Sequence, residues 1–213
     1  MNGLNNYIVV LGLIYGGLIG LVADDLNRTI VFLGDSLSAG LGVEREEAFP
    51  SVIQRKIEKK GSSYQVLNAG FSGDTSAGGL RRLAWVLKRK PDVFVLELGG
   101  NDGLRGLSTE ETEKNLRAII DRVREKNADV KVILAGMQMP QNMGMEYRVD
   151  FQAVFPRVAK EKKVLLIPFL LEGVGGVVNF NQADMIHPNA EGHQRVAENV
   201  WKVLESLLIV DGM

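Results

Sequence analysis

The sequence predicts an α/β domain built on a parallel sheet, and three observations carry that expectation. Five short apolar runs are each bounded by Gly, Pro or charge. Amphipathic helical patterns separate them. Beyond residue 25 no linker, repeat or low-complexity tract breaks the alternation. With 213 residues, 46% hydrophobic and 24% charged, the chain is long enough for one sizeable core. The net charge of −1 gives no basic excess for nucleic acid and no acidic tail.

The N-terminal stretch stands apart from this domain. Residues 7–23, YIVVLGLIYGGLIGLVA, are uncharged and precede Asp24-Asp25. The run falls between the apolar region of a signal peptide and a short membrane span. The leading MNGLNN lacks Lys and Arg, and Leu21-Val22-Ala23 is a poor cleavage site. We expect export to the periplasm or beyond, with residues 1–25 a signal peptide cleaved near Ala23 or an anchor held in the membrane through 7–23. A buried first helix is the alternative. Residues 26–213 then form one domain.

The first strand, 29–33, runs into Gly34-Asp35-Ser36-Leu37. Ser36 has two readings at this point: a nucleophile, or a hydroxyl capping the next helix. Strands at 65–68, 93–98, 131–135 and 164–167 follow. Between them, Leu80, Leu83, Ala84 and Leu87 make one apolar stripe, and Leu116, Ile119, Ile120 and Val123 a second. Ser108 with Glu111 forms a capping box ahead of the second. Phe151, Val154, Phe155 and Val158 make a third, where Pro156 should kink or restart the helix. Val196, Val200, Val203, Leu204 and Leu207 mark the last helix. Arg81-Arg82 and Lys88-Arg89-Lys90 read as the solvated face of theirs.

In parallel sheets of this kind, ligands bind beyond the carboxyl ends of the strands. That selects the loops 34–40, 69–76, 99–106, 136–145 and 169–187. A serine nucleophile needs a base, usually His. The chain has two histidines. His193 lies within the last helical pattern and reads as a solvent-facing or boundary residue. His187 sits in the loop before that helix, with Pro188 after it and Asp184 three residues earlier. A carboxylate there can hold Nδ1–H and turn Nε2 toward the serine. An Asp in a turn with a His at a helix start is the plainer reading. The G-x-S-x-G elbow is absent. Oxyanion donors are on offer from Gly73, in the Gly-rich 72-SGDTSAGG-79, and from the Asn101 amide in 99-GGNDG-103. Ordinary tight turns are the alternative for both loops.

Four blocks, GDSL at 34–37, Gly73 in SGDTS, GGND at 99–102 and DMIHP at 184–188, resemble the conserved blocks of the SGNH (GDSL) hydrolases, in the family's order. The resemblance implies a three-layer α/β/α, flavodoxin-like fold with five parallel strands. It implies Ser36 as nucleophile, His187 as base and Asp184 as its orienting carboxylate. The oxyanion hole would be the Ser36 and Gly73 N–H groups and the Asn101 amide. SGDTSAGGL, VLELGGNDGLRG and FPRVAKEKKVLLIPF are similar to the bacterial thioesterase I/protease I/lysophospholipase (arylesterase) subgroup. That likeness implies an ester and thioester hydrolase, mostly periplasmic, acting on small acyl substrates without metal or organic cofactor.

Two segments depart from the subgroup. Four of the seven Met residues fall in 137–145, and 172–182 is rich in Gly. Flexible thioethers suit an adaptable acyl pocket or an irregular core gap. We expect Asp35, Leu37, Met139, Met143 and Met145 to contact the substrate. A carbohydrate O-acetylesterase of the same fold and a non-enzymatic flavodoxin-like binding module are the competing readings. The first prefers acetyl groups, and the second tolerates Ser36→Ala.

Overall fold

Five parallel strands form one sheet in the order β2-β1-β3-β4-β5, in a computed structural model describing residues 28–208. They are β1 (Arg28–Gly34), β2 (Tyr64–Gly70), β3 (Val93–Glu97), β4 (Lys131–Ala135) and β5 (Leu165–Ile167). All four pairings are parallel. Residues 1–25, with the expected signal peptide or anchor, lie outside the described residues. Among the described residues no helix is long and apolar enough to cross a membrane.

Each predicted strand is present, displaced by two residues at most. Ile30, Val31, Phe32 and Leu33 of β1 are fully buried, as are Phe94, Val95 and Leu96 of β3. Continuous burial of this kind needs helices on both faces. On one face α3 (Ser76–Val86), α5 (Thr109–Lys126) and α6 (Met145–Lys162) pack side by side. On the other, α2 (Phe49–Lys59) packs on α7 (Ala190–Leu204). The result is three layers, α/β/α. The order runs 2-1-3-4-5, so the chain reverses direction across the sheet between β1 and β3, where ligand crevices form.

The stripes of α5 and α6 bury as expected, as do Val196, Val200 and Leu204 of α7, while Val203 and Leu207 are half-buried and Leu207 falls in a 3-10 turn after the helix. Ser108 caps α5, accepting from the Glu111 N–H at 3.3 Å. Two helical expectations need correction. Pro156 does not restart α6, which runs through it as one helix. The carbonyl it deprives of a donor is that of Gln152, and both residues are exposed, so water can serve that group. Of the stripe expected on α3, Leu83 and Leu87 are buried and Leu80 is half-buried, but Ala84 is exposed and Val86 is buried instead.

His193 is also corrected. It is 1% exposed and stacks on Phe49. Its Nδ1 accepts the Phe49 N–H at 3.2 Å. The N-cap residue of α2, Ala48, has no side chain that can cap it. The imidazole of α7 thus satisfies the first donor of α2 and ties two helices together. Burial pushes His193 down to about 4, the charge of Glu47 opposing and that of His187 adding to it. The unfolded chain therefore takes up this proton first, near pH 6.5. The His193 contribution to stability is complete above pH 6.5 and is lost as pH falls toward about 4, a loss of roughly 3 kcal/mol. His193→Asn keeps an acceptor near the Nδ1 position without the titration. Unfolding free energies of both proteins, measured from pH 7 to 4, should diverge in slope. Parallel curves would contradict this account.

Candidate active site

The first four loops at the carboxyl edge of the sheet lead into helices, and each contributes to one cluster. After β1 comes the short α1 (Ser36–Ala39). Its cap is Asp35, whose Oδ1 accepts the Leu37 N–H at 3.0 Å. The capping role proposed for Ser36 therefore belongs to its neighbour. Ser36 Oγ instead lies 2.9 Å from His187 Nε2. On the other side of that ring, Nδ1 lies 2.6 Å from Asp184 Oδ2.

Asp184 is locked by its own loop. Its Oδ1 accepts the N–H groups of Ile186 at 2.9 Å and His187 at 3.0 Å. Met185, between Asp184 and Ile186, adopts a positive φ of 60°, uncommon for a residue with a side chain. Burial pushes the Asp184 carboxyl up. Hydrogen bonds from the His187 N–H and ring and the Ile186 N–H, with the charge of His187, outweigh it and bring the group to about 2. An ionised carboxylate only accepts, so Nδ1 of His187 carries the hydrogen. In neutral His187, Nε2 is then free to accept the Ser36 proton.

Among the N–H groups of residues 35–39, that of Ser36 alone has no protein acceptor. Gly73, with φ 81°, keeps its N–H without a protein acceptor too. Its carbonyl accepts from Arg105 Nη2 at 2.9 Å. Asn101 opens α4 (Gly100–Leu104), and its Nδ2 donates to Asp35 Oδ2 and to the Asp74 carbonyl, each at 3.0 Å. Both hydrogens of this amide thus have acceptors. Burial raises Asp35 to about 6, partly countered by the Leu37 N–H, the Asn101 amide and the charge of His187, and reinforced by the charge of Asp74.

A cavity of about 490 Å³ opens at this cluster. Asp35, Ser36, Leu37, Asn101, Met139 and His187 line it, as do Gly175 and Gly176 of the Gly-rich segment. Leu104, Met137, Pro140, Phe169, Leu171 and Ile186 make much of its wall. Gly73 is not among the lining residues. Asp184 stands behind the His187 ring. Two expectations fail here. Met143 packs against the core, and Met145 is 74% exposed at the start of α6, which carries it away from the cavity.

Arg82 was expected on a solvated face, and Arg81, Lys88, Arg89 and Lys90 are exposed. Arg82 is not one of them. Its Nε donates to Asp74 Oδ2 at 2.6 Å and its Nη2 to the Gly34 carbonyl at 2.9 Å. It joins the loop after β2 to the end of β1, next to the Ser36 turn. Asp102 does similar work, accepting the Ser76 N–H at 2.8 Å and the Ser76 hydroxyl at 2.5 Å.

The profile of the GDSL-like Lipase/Acylhydrolase family matches residues 32–195. The chain belongs to this family. This GDSL hydrolase is 44% identical to esterase TesA of Pseudomonas aeruginosa, over 85% of this chain and 90% of that one. It is 41% identical to thioesterase 1/protease 1/lysophospholipase L1 of Escherichia coli, over 84% and 85% respectively. Among solved structures, that of TesA superimposes with a TM-score of 0.81, covering 85% of this chain and all of that one. The psychrotrophic esterase EstA of Pseudoalteromonas, solved with monoethylphosphonate as inhibitor, has a TM-score of 0.79 at 30% identity, with 84% and 97% covered. The GDSL hydrolase is a carboxylic ester hydrolase of the SGNH type.

Proposed function

We propose that this hydrolase cleaves acyl esters and thioesters through an acyl-enzyme on Ser36. The observation that carries the proposal is the hydrogen-bonded chain Ser36–His187–Asp184, at 2.9 and 2.6 Å, beside a largely apolar cavity. Ser36 Oγ attacks the acyl carbonyl while His187 Nε2 takes its proton. The Ser36 and Gly73 N–H groups and the Asn101 amide receive the oxyanion. His187 then protonates the leaving thiol or alcohol. A water activated by His187 releases the acid and restores Ser36. Asp184, at about 2, stays ionised through the working pH range and keeps the ring oriented. Residues 26–213 act as one domain, exported to the periplasm or beyond. The apolar run 7–23 supports that location, and N-terminal sequencing of the native protein tests it: a start near Asp24 means cleavage, and a free cytoplasmic protein starting at Met1 would overturn export.

The test is hydrolysis of one acyl series, acetyl to palmitoyl, offered as thioester and as oxygen ester. Cleavage of medium or long chains in both is the expected result. Reaction with acetyl esters alone would overturn the acyl-pocket reading.

Chain length is set at Met139. The thioether lies on the cavity wall, and a Cβ added at Gly103 would overlap Met139 Sδ and meet Phe151 Cε2 at 2.9 Å. Gly103→Ala therefore pushes Met139 into the cavity. Rates on the longest chains should fall about tenfold relative to acetyl, the scale of one methylene in an apolar pocket. Met139→Ala should shift the optimum toward longer chains. Met145→Ala should leave it in place. Equal effects of all three on every chain length would remove Met139 from the role.

A further inference from the structure

The geometry points to Glu97 as a positioning residue that holds the Ser36 turn in its reactive conformation. This inference rests on Ser36 being the nucleophile. Glu97 is the last residue of β3, fully buried, and in register with Gly34 of β1. No Lys, Arg or His among the described residues pairs with it. A carboxyl group in that position costs several kcal/mol of desolvation unless its environment compensates. Its partners show what it does there.

Glu97 Oε2 accepts three hydrogen bonds: from the Asp35 N–H at 3.1 Å, the Ser38 N–H at 3.2 Å and the Ser38 hydroxyl at 2.7 Å. Asp35 and Ser38 stand on either side of Ser36 and Leu37. The Leu37 N–H is already held by Asp35 Oδ1. One carboxylate oxygen thus anchors both flanks of the turn to the central strand. The Ser36 N–H is left as the unclaimed donor. Gly34 makes this possible, because a Cβ there would overlap both Glu97 Oε2 and Ser38 Oγ. Glu97 Oε1 is buried with no hydrogen-bond partner. Burial pushes the Glu97 carboxyl well above the ordinary range and the charge of Asp35 adds to it, against the bonds from Ser38 and the Asp35 N–H. The side chain therefore acts on the turn through Oε2 alone. Gln presents the same carbonyl acceptor at nearly the same volume. Met fills the space without accepting anything.

The experiment compares Glu97→Gln, Glu97→Met, Ser38→Ala and Ser36→Ala in the full chain on a short soluble ester. A misplacement of the nucleophile by part of an ångström lowers kcat with little change in KM, by a factor of about 10 to 100. Glu97→Met should show that pattern, with KM within about twofold and a folded circular dichroism spectrum. Glu97→Gln should return kcat to within about threefold of the parent, as expected when accepting geometry rather than charge is what matters. Ser38→Ala, which removes one of the three donors, should lower kcat by roughly threefold to tenfold at constant KM, and it decides the matter if Glu97→Met does not fold. Parental kcat in a folded Glu97→Met would overturn the inference. So would a loss confined to KM, or a Glu97→Gln as slow as Glu97→Met. Ser36→Ala separates the two levels: if it is inactive while Glu97→Met matches the parent, only the Glu97 role fails. If it is as active as the parent, the nucleophile assignment fails.

Discussion

Ser36→Ala should lower kcat/KM for soluble acyl esters by a factor on the order of 10⁴ to 10⁶ and leave the fold intact. The size follows from mechanism. Without Oγ there is no acyl-enzyme, and only oxyanion donors and substrate binding act on an attack by water. His187→Ala should cost as much, and the double variant no more than either alone, because the two groups act as one unit. The fold survives because Asp35, not Ser36, caps α1. The thermal change should stay within about 1 kcal/mol, the range of a substitution that removes no cap and opens no core cavity. Parent protein treated with a reactive alkyl phosphonate should gain one adduct per chain, on the peptide that contains Ser36. Ser36→Ala should gain none. A variant with parental turnover, or an adduct elsewhere in the chain, removes Ser36 from the nucleophile's role.

The sheet was readable in the sequence because parallel strands buried on both faces leave short, continuous apolar runs. The loops of the site were readable because the carboxyl ends of those strands select them. Asp184 and His187 were readable because a three-residue spacing brings a carboxylate onto Nδ1, as the 2.6 Å contact shows. The misses have physical causes. Helix α2 lacks a polar N-cap, so its start carries no signal at Ala48. Its cap is the ring of His193, distant in sequence by 144 residues. A signal for His193 existed: it precedes Val196, Ala197 and Val200 by three, four and seven positions, on the buried stripe of α7. Arg82 lies three residues after Gly79 and four before Val86, both buried, at the edge of the α3 stripe. Glu97 interrupts an apolar strand, an expensive place for a carboxyl group. Met143 and Met145 were grouped with Met139 by composition alone; a 3-10 turn at Gln141–Met143 packs Met143 against the core, and Met145 opens α6 in solvent.

Asn101→Ala should lower kcat by about 10² to 10³, the cost of one oxyanion donor. KM should change little, because the donor meets charge that develops after binding. Asn101 differs from the two backbone donors in that both of its hydrogens already have acceptors, Asp35 Oδ2 and the Asp74 carbonyl. The amide is fixed in advance by those two bonds, and in the proposed mechanism it shares a hydrogen with the oxyanion when it forms. Pre-organisation of this kind carries no reorientation cost at the moment of reaction. The same contacts make the substitution visible elsewhere. Burial is the main cause that lifts Asp35 to about 6, and the Asn101 hydrogen bond is one of the contacts that lower it. Removing the amide raises Asp35 further, so its carboxyl stays protonated to higher pH. The Asp35 titration, followed by NMR, should therefore lie at higher pH in Asn101→Ala than in the parent. Asn101→Asp is the sharper variant, since it keeps the shape and replaces both donated hydrogens with a carboxylate facing Asp35 and a carbonyl. It should be at least as slow as Asn101→Ala. A rate for Asn101→Asp within tenfold of the parent would show that shape rather than donation matters at this position, leaving Ser36 and Gly73 to hold the oxyanion alone.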